Sequence, residues 1–297
     1  MLSAICNLGD LSTGYGLFVG FQASSVASDW RDAIVLLAMV AGGMTLLGLV
    51  TNYLIVHNIK PFGELQYNKN GDKAEVERYR KPARVLHWVC AAAFVILLIT
   101  GISRFVSSQG QVASGGWSYV PHLVAGVVFV AAPVIYFLTN RKASLKGIRR
   151  VLMWGKEDVD WTKAAPQYYF LCDERGMPPQ RYFNTLQKVW LLLVIVFGLI
   201  LAVSGVLMWA LQATASVEFL ELILFAHDIA FIAIGTMFLV HVYISVLHPM
   251  SGSMGTGAWS AITRGKVSVE YARSHHEKWY QELPVAQKTG GGKGTDK

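Results

Sequence analysis

The stretch LILFAHDIAFIAIGTMFLVHVYISVLH, Leu222 to His248, decides the fold. At about 1.5 Å per residue it is long enough to cross a hydrocarbon core of about 30 Å. Within it, His227 and His241 stand 14 residues apart. At about 100° per residue that spacing falls roughly 40° short of four turns and rises about 21 Å, so both imidazoles face one side of one helix at two depths. An ionisable side chain inside a span is costly and marks function by default.

Working outward, four further segments read as spans: Ala33–Val56, Val85–Ser103, Val120–Thr139 and Val189–Leu211. The chain of 297 residues is 53% hydrophobic and only 15% charged, against about 25% charged in ordinary soluble domains. Bulk soluble chemistry and a large extramembrane catalytic domain are thereby excluded. The expectation is an all-α membrane protein with five transmembrane helices, the last four forming a four-helix bundle. Residues 1–32 form an outer segment, 33–56 an extra transmembrane helix, 57–83 an inner loop, 84–248 the bundle with an inner loop at 141–188, and 249–297 an inner C-terminal tail. Residues 1–32 lack a basic leader region, although Ala23–Ser28 has the small residues of a cleavage site.

Basic residues set the orientation. Lys60, Lys69, Lys73, Arg78, Arg80, Lys81 and Arg84 follow the first span, and Lys142, Lys146, Arg149 and Arg150 follow the third, whereas the connections after the second and fourth offer only Arg104. The positive-inside rule therefore places the N-terminus outside and the C-terminus inside. The same loops explain the net charge of +7 without any nucleic-acid partner. Cys6, Cys90 and Cys172 form no C-x-x-C pair, which leaves neither a zinc knuckle nor a c-type haem attachment.

His87 begins the second span at the inner level and His122 begins the third at the outer level. Depth then pairs His122 with His227 outside and His87 with His241 inside. Two neutral imidazoles on different helices are what an iron porphyrin stacked in a bundle needs, so the pattern predicts a di-haem bundle with these four histidines as axial ligands to the haem iron. Glycines should clear space beside the rings, with Gly101, Gly126, Gly205 and Gly235 suitably placed. His57, His248, His275 and His276 fall at or beyond inner span ends and read as interfacial.

The stretches RVLHW at 84–88, PHLVAG at 121–126, RYFNTLQK at 181–188, HDIAFIAIG at 227–235, FLVHVY at 238–243 and GKVSVEYARSHHEKWYQE at 265–282 carry a resemblance. They are similar to the cytochrome b (gamma) subunit of membrane-bound formate dehydrogenases, over about two-thirds of the chain. R-x-x-H-W is shared by many di-haem cytochromes b, while the SHHEKWYQE ending is more specific. Leu186 stands where that family's Y-N-x-G-Q-K motif has glycine, the shorter members lack the first 80 or so residues, and Asp228 beside a ligand is unusual.

The resemblance implies two haem b groups held by His87, His122, His227 and His241, and a quinone, menaquinone or ubiquinone, as electron acceptor near the inner haem. Asn184, Gln187 and Lys188 lie at that depth and are candidates to bind the quinone; alternatively Asn184 caps the helix and Lys188 snorkels. Arg84 and Arg104 either pair haem propionates or anchor span ends. The implied role is electron transfer from an iron–sulfur beta subunit, fed by a molybdenum or tungsten catalytic alpha subunit, to a quinone in the bacterial inner membrane. The chain has no formate-oxidising site of its own. A periplasmic hydrogenase or thiosulfate-type reductase subunit is the alternative within redox biology, and a haem-free anchor or proton-coupled transporter the alternative outside it.

Overall fold

A computed structural model describes residues 25–58, 74–107, 116–251 and 257–285. Cys6, Lys60, Lys69, Lys73, most of the N-terminal segment and the glycine-rich C-terminal residues lie outside the described residues. The elements in chain order are α1 (Ser25–Val56), β1 (Glu75–Glu77), α2 (Lys81–Ser107), α3 (Tyr119–Thr139), α4 (Arg141–Leu152), α5 (Lys156–Leu171), α6 (Thr185–Leu211), α7 (Val217–Val242), α8 (Ala258–Thr263), β2 (Lys266–Ser268) and α9 (Val269–Gln281). A π-turn, Tyr243–Leu247, prolongs α7.

Five helices among the described residues are long and apolar enough to cross a membrane: Ala33–Val56, Lys81–Phe105, Tyr119–Thr139, Thr185–Leu211 and Val217–Leu247. Each contains or closely overlaps a span expected from the sequence. Their outward side chains are apolar, as a lipid-facing surface requires: Leu199 is 63% and Leu222 65% exposed.

Two compact units share these helices. One comprises residues up to Gly43, Trp88–Ile135 and Val194–Thr236. Small residues bring its helices close, as expected where lipid leaves no hydrophobic drive between them. Ala93, Ala125 and Ala230 are buried. A Cβ built at Gly198 lies 3.8 Å from Phe129, and one built at Gly235 lies 3.7 Å from Leu98. The Phe94–Phe129 and Phe105–Phe231 ring pairs, each with centroids 6.1 Å apart, fill the remaining space.

The other unit comprises Met44–His87, Tyr136–Leu193 and Met237–Lys297. Here the structure goes beyond the sequence reading. The 141–188 loop is mostly helical, holding α4 and α5, and the 57–83 loop and C-terminal tail meet in a two-stranded antiparallel ladder, β1 with β2, with Val76 opposite Val267. Gly265 makes that junction: its φ of +86° suits only glycine, and a Cβ there would lie 2.6 Å from Tyr79 O. Its carbonyl accepts from the backbone N–H of Arg78 and of Tyr79. Val76, Val267, Tyr271, Ala272, Trp279 and Tyr280 form a small core around the ladder.

Within this second unit, the Met44–Val56 part of α1 is held through a buried polar residue. Asn52, 6% exposed, donates from Nδ2 to Tyr169 O at 2.9 Å and accepts from Tyr243 OH. Val56 packs beside it with Tyr168, Cys172 and Met250.

Candidate functional site

In the first unit, α3 supplies His122 and α7 supplies His227. Their ring centroids lie 6.4 Å apart with planes inclined at 54°. Two metal–nitrogen bonds of about 2 Å plus the two ring half-widths give roughly 6 Å, so the pair has the spacing of axial ligands on one metal. The neighbouring helices hold each ring by its other nitrogen. Thr100 on α2 lies 2.8 Å from His122 Nδ1, and Ser204 on α6 lies 2.8 Å from His227 Nδ1. That leaves Nε2 of each ring to ligate, so the residues fit a bis-histidine haem.

Gly101 and Gly205 follow those hydroxyl residues directly and face the same rings, each within ordinary van der Waals contact of one. A Cβ on Gly101 would meet His122 Cε1 at 3.6 Å, and one on Gly205 would meet His227 Cε1 at 3.8 Å. Gly126 and Gly235, expected to flank the rings as well, instead meet Leu97 and Leu98. Arg104 stacks on Tyr119, 5.4 Å from its ring centroid.

The second unit holds His87 on α2 and His241 on α7. Trp190 on α6 stacks flat on His241, centroids 4.7 Å apart and planes 7° from parallel. Ser245, one turn further along, lies 3.5 Å from His241 Nδ1, the outer limit of a hydrogen bond.

Asn184 and Gln187 form a reciprocal cap at the start of α6. Asn184 Oδ1 accepts from Gln187 N at 2.9 Å, and Gln187 Oε1 accepts from Asn184 N at 3.2 Å. Lys188 is 1% exposed rather than snorkelling, because Asp158 on α5 draws it inward: Nζ lies 2.7 and 2.8 Å from the two carboxylate oxygens and donates to Met153 O at 2.7 Å. Arg84 donates through Nη1 to Thr263 O, while its buried Nε makes no hydrogen bond among the described residues.

The sequence reading missed Thr100, Ser204 and Trp190. Two of them had a signal: Thr100-Gly101 and Ser204-Gly205 are the same hydroxyl–glycine dipeptide inside two apolar spans.

The histidines expected at the interface make hydrogen bonds, His57 at its exposed site with Tyr53 O at 2.9 Å. His248 and His276, 2% and 1% exposed, bond through ring nitrogens to Tyr169 O at 2.9 Å and Arg181 O at 2.8 Å. His275 lies 2.6 Å from Tyr168 OH and stacks on Tyr271, centroids 4.2 Å apart. Burial pushes His275 down to about 4, and burial followed by the Arg78 charge holds His276 well below the usual histidine range. Aromatic residues and backbone carbonyls from segments distant in sequence bury His248 and His276 and half-bury His275.

A model of the prokaryotic cytochrome b561 family matches residues 78–257, which include all four candidate ligands, and the chain belongs to that family. It is thus a multi-pass integral membrane cytochrome, and the family implies haem b. Among curated proteins, the chain is 25% identical over 214 residues to the formate dehydrogenase cytochrome b556(fdo) subunit of Escherichia coli K12, covering 70% of this chain and 93% of that protein. It is 23% identical over 207 residues to the formate dehydrogenase cytochrome b556 subunit of Haemophilus influenzae, covering 69% and 82%. A nitrate-inducible formate dehydrogenase cytochrome b556(Fdn) subunit of Escherichia coli K12 is 23% identical over 212 residues, covering 69% and 89%.

Proposed function

We propose that this chain is the membrane-anchoring cytochrome b subunit of a formate dehydrogenase complex. It takes electrons from an iron–sulfur partner at the His122/His227 end and delivers them to a membrane quinone at the His87/His241 end. The observation that carries this reading is the facing His122–His227 pair at 6.4 Å, each ring tied at Nδ1 by a hydroxyl of a neighbouring helix. The names of the relatives support the choice of complex.

Haem b at such a pair supplies reversible one-electron storage. The residues do the rest. His122 and His227 hold one group and His87 and His241 the second, while Arg104 and Arg84 provide guanidinium charge for propionates at the respective ends. Trp190 keeps the His241 ring in its plane. Asn184 and Gln187 line the quinone end, where their amide Nδ2 and Nε2 groups remain to donate after the cap has taken the carbonyl oxygens. Formate oxidation belongs to a molybdenum or tungsten subunit bound through the iron–sulfur partner. The N-terminus faces the outside of the bacterial inner membrane and the C-terminus the inside, by the loop charges.

The test is haem stoichiometry in the purified complex together with reduction by formate. Wild type should carry two haems per chain, both reduced by formate. His227→Ala should empty one site and leave the other, and His241→Ala should do the reverse. Two haems with unaltered spectra in either variant refute the ligand assignment, and haem that formate leaves oxidised refutes the choice of complex.

A further inference from the structure

The two hydroxyls beside His122 and His227 fix where the protons are. Thr100 Oγ1 lies 2.6 Å from Ile96 O and 3.3 Å from Leu97 O. Ser204 Oγ lies 2.6 Å from Ile200 O and 3.2 Å from Leu201 O. A carbonyl only accepts, so each hydroxyl spends its single proton on its own helix. Toward the histidine, 2.8 Å away, it is left only to accept. Both rings therefore carry their proton on Nδ1, and both Nε2 atoms present a bare lone pair. Thr100 and Ser204 are 2% and 5% exposed, so water does not substitute for either.

We propose that Thr100 and Ser204 are a matched pair of positioning residues that set the tautomer of His122 and His227 and hold the haem between them at a lower potential than the haem at His241. Accepting the Nδ1–H bond raises the basicity of the ligating nitrogen, which favours the oxidised metal. At His241 that push is weaker, because Ser245 sits 3.5 Å from its Nδ1 and lies on the same chain segment one turn away. Electrons entering at His122/His227 then run downhill. This inference rests on the haem reading above.

The experiment is an optical redox titration of the purified complex with haem counted, on wild type, Thr100→Val, Ser204→Ala, and the conservative Thr100→Ser and Ser204→Thr. Val and Ala should raise the midpoint of one haem only. At a fixed ambient potential its reduced-to-oxidised ratio should change several-fold, up to about tenfold, which is about 59 mV for one electron. That haem should also be retained about 10- to 100-fold less tightly. Thr100→Ser should keep the wild-type midpoint, and Ser204→Thr should stay close to it. If Thr100→Val sheds the haem, Ser204→Ala, which adds no bulk, gives the same readout on the opposite ligand. An unmoved midpoint in Ser204→Ala with both haems present overturns the proposal. Wild type with no haem at this pair would instead overturn the functional reading beneath it.

Discussion

Asp158→Ala should be among the most damaging single substitutions outside the histidines. Asp158 is 1% exposed and accepts four hydrogen bonds: two from Lys188 Nζ, one from Thr185 Oγ1 and one from Gly155 N. Removing it leaves the Lys188 ammonium, also 1% exposed, with Met153 O as its one hydrogen-bond acceptor among the described residues. Breaking a buried pair by one partner costs about 3–5 kcal/mol, two to more than three decades in the folded-to-unfolded ratio. Replacing both partners, as Asp158→Leu with Lys188→Met, leaves no buried charge and should recover most of that loss. Denaturant unfolding in detergent, followed by tryptophan fluorescence, measures it, and Trp154 sits 5.5 Å from Lys188 Nζ as a local reporter. A wild-type midpoint for Asp158→Ala, or a double variant as unstable as the single, would refute the reasoning. The double variant also separates the roles of Lys188. Normal quinone reduction in that folded protein makes the lysine structural, and its loss places the lysine at the quinone.

Three further outcomes are expected. Asn184→Ala removes both the cap on α6 and the Nδ2 donor, whereas Asn184→Asp keeps the cap and removes the donor; both should slow haem reoxidation by quinone without slowing reduction by formate, and only Ala should also lose about 1 kcal/mol of stability. Equal reoxidation rates in wild type and Asp would leave Asn184 a cap alone. An impermeant reagent applied to intact cells should miss a cysteine placed at Lys146 and label one placed at Glu218; the opposite pattern reverses the orientation. Acidification should destabilise the protein below about pH 6.5, because the unfolded chain binds protons at His275 and His276 that their folded sites resist, His275 until about 4. A second loss should follow from about pH 4.5 toward 2, since the Glu157 backbone N–H, then Arg181, hold its carboxyl down to about 2. His275→Gln should flatten the first step in a stability-against-pH series, and an unchanged slope would remove His275 as its cause.

The spans were legible because a run of some 20 apolar residues has few other readings, and their ends fell within a few residues of Val56, Thr139 and Leu211. The proximity of His122 and His227 was legible for a geometric reason: a fixed 14-residue spacing on one helix sets two depths, and the orientation expected from loop charge matches each depth to a histidine on another helix. Proton positions were not legible. Thr100 and Ser204 matter through hydroxyls that reach a ring on another helix, 22 and 23 residues away in sequence, and nothing in the local pattern gives that distance. The polar layer of the second unit was hidden for the same reason. Asp158 and Lys188 are 30 residues apart, and Arg78 and His276 are 198 apart, so the sequence read Lys188 as a quinone candidate or a snorkelling lysine, Arg78 as a loop charge and His276 as interfacial, without their partners.

The extra helix α1 shows how a polar residue in a span earns its place structurally rather than chemically. Asn52 uses Nδ2 on Tyr169 O and Oδ1 on Tyr243 OH, and Tyr169 O also bonds to a ring nitrogen of His248. Tyr243 lies in the π-turn two residues beyond His241. The same three-way contact therefore ties α1, α5 and the end of α7 together next to a candidate ligand. In lipid, an unpaired side-chain amide has no water to turn to, so this contact specifies where α1 docks rather than merely favouring it. The helix that lies outside the family match thus bears on the His241 end of the bundle through backbone and side-chain hydrogen bonds, with no histidine of its own inside the hydrocarbon.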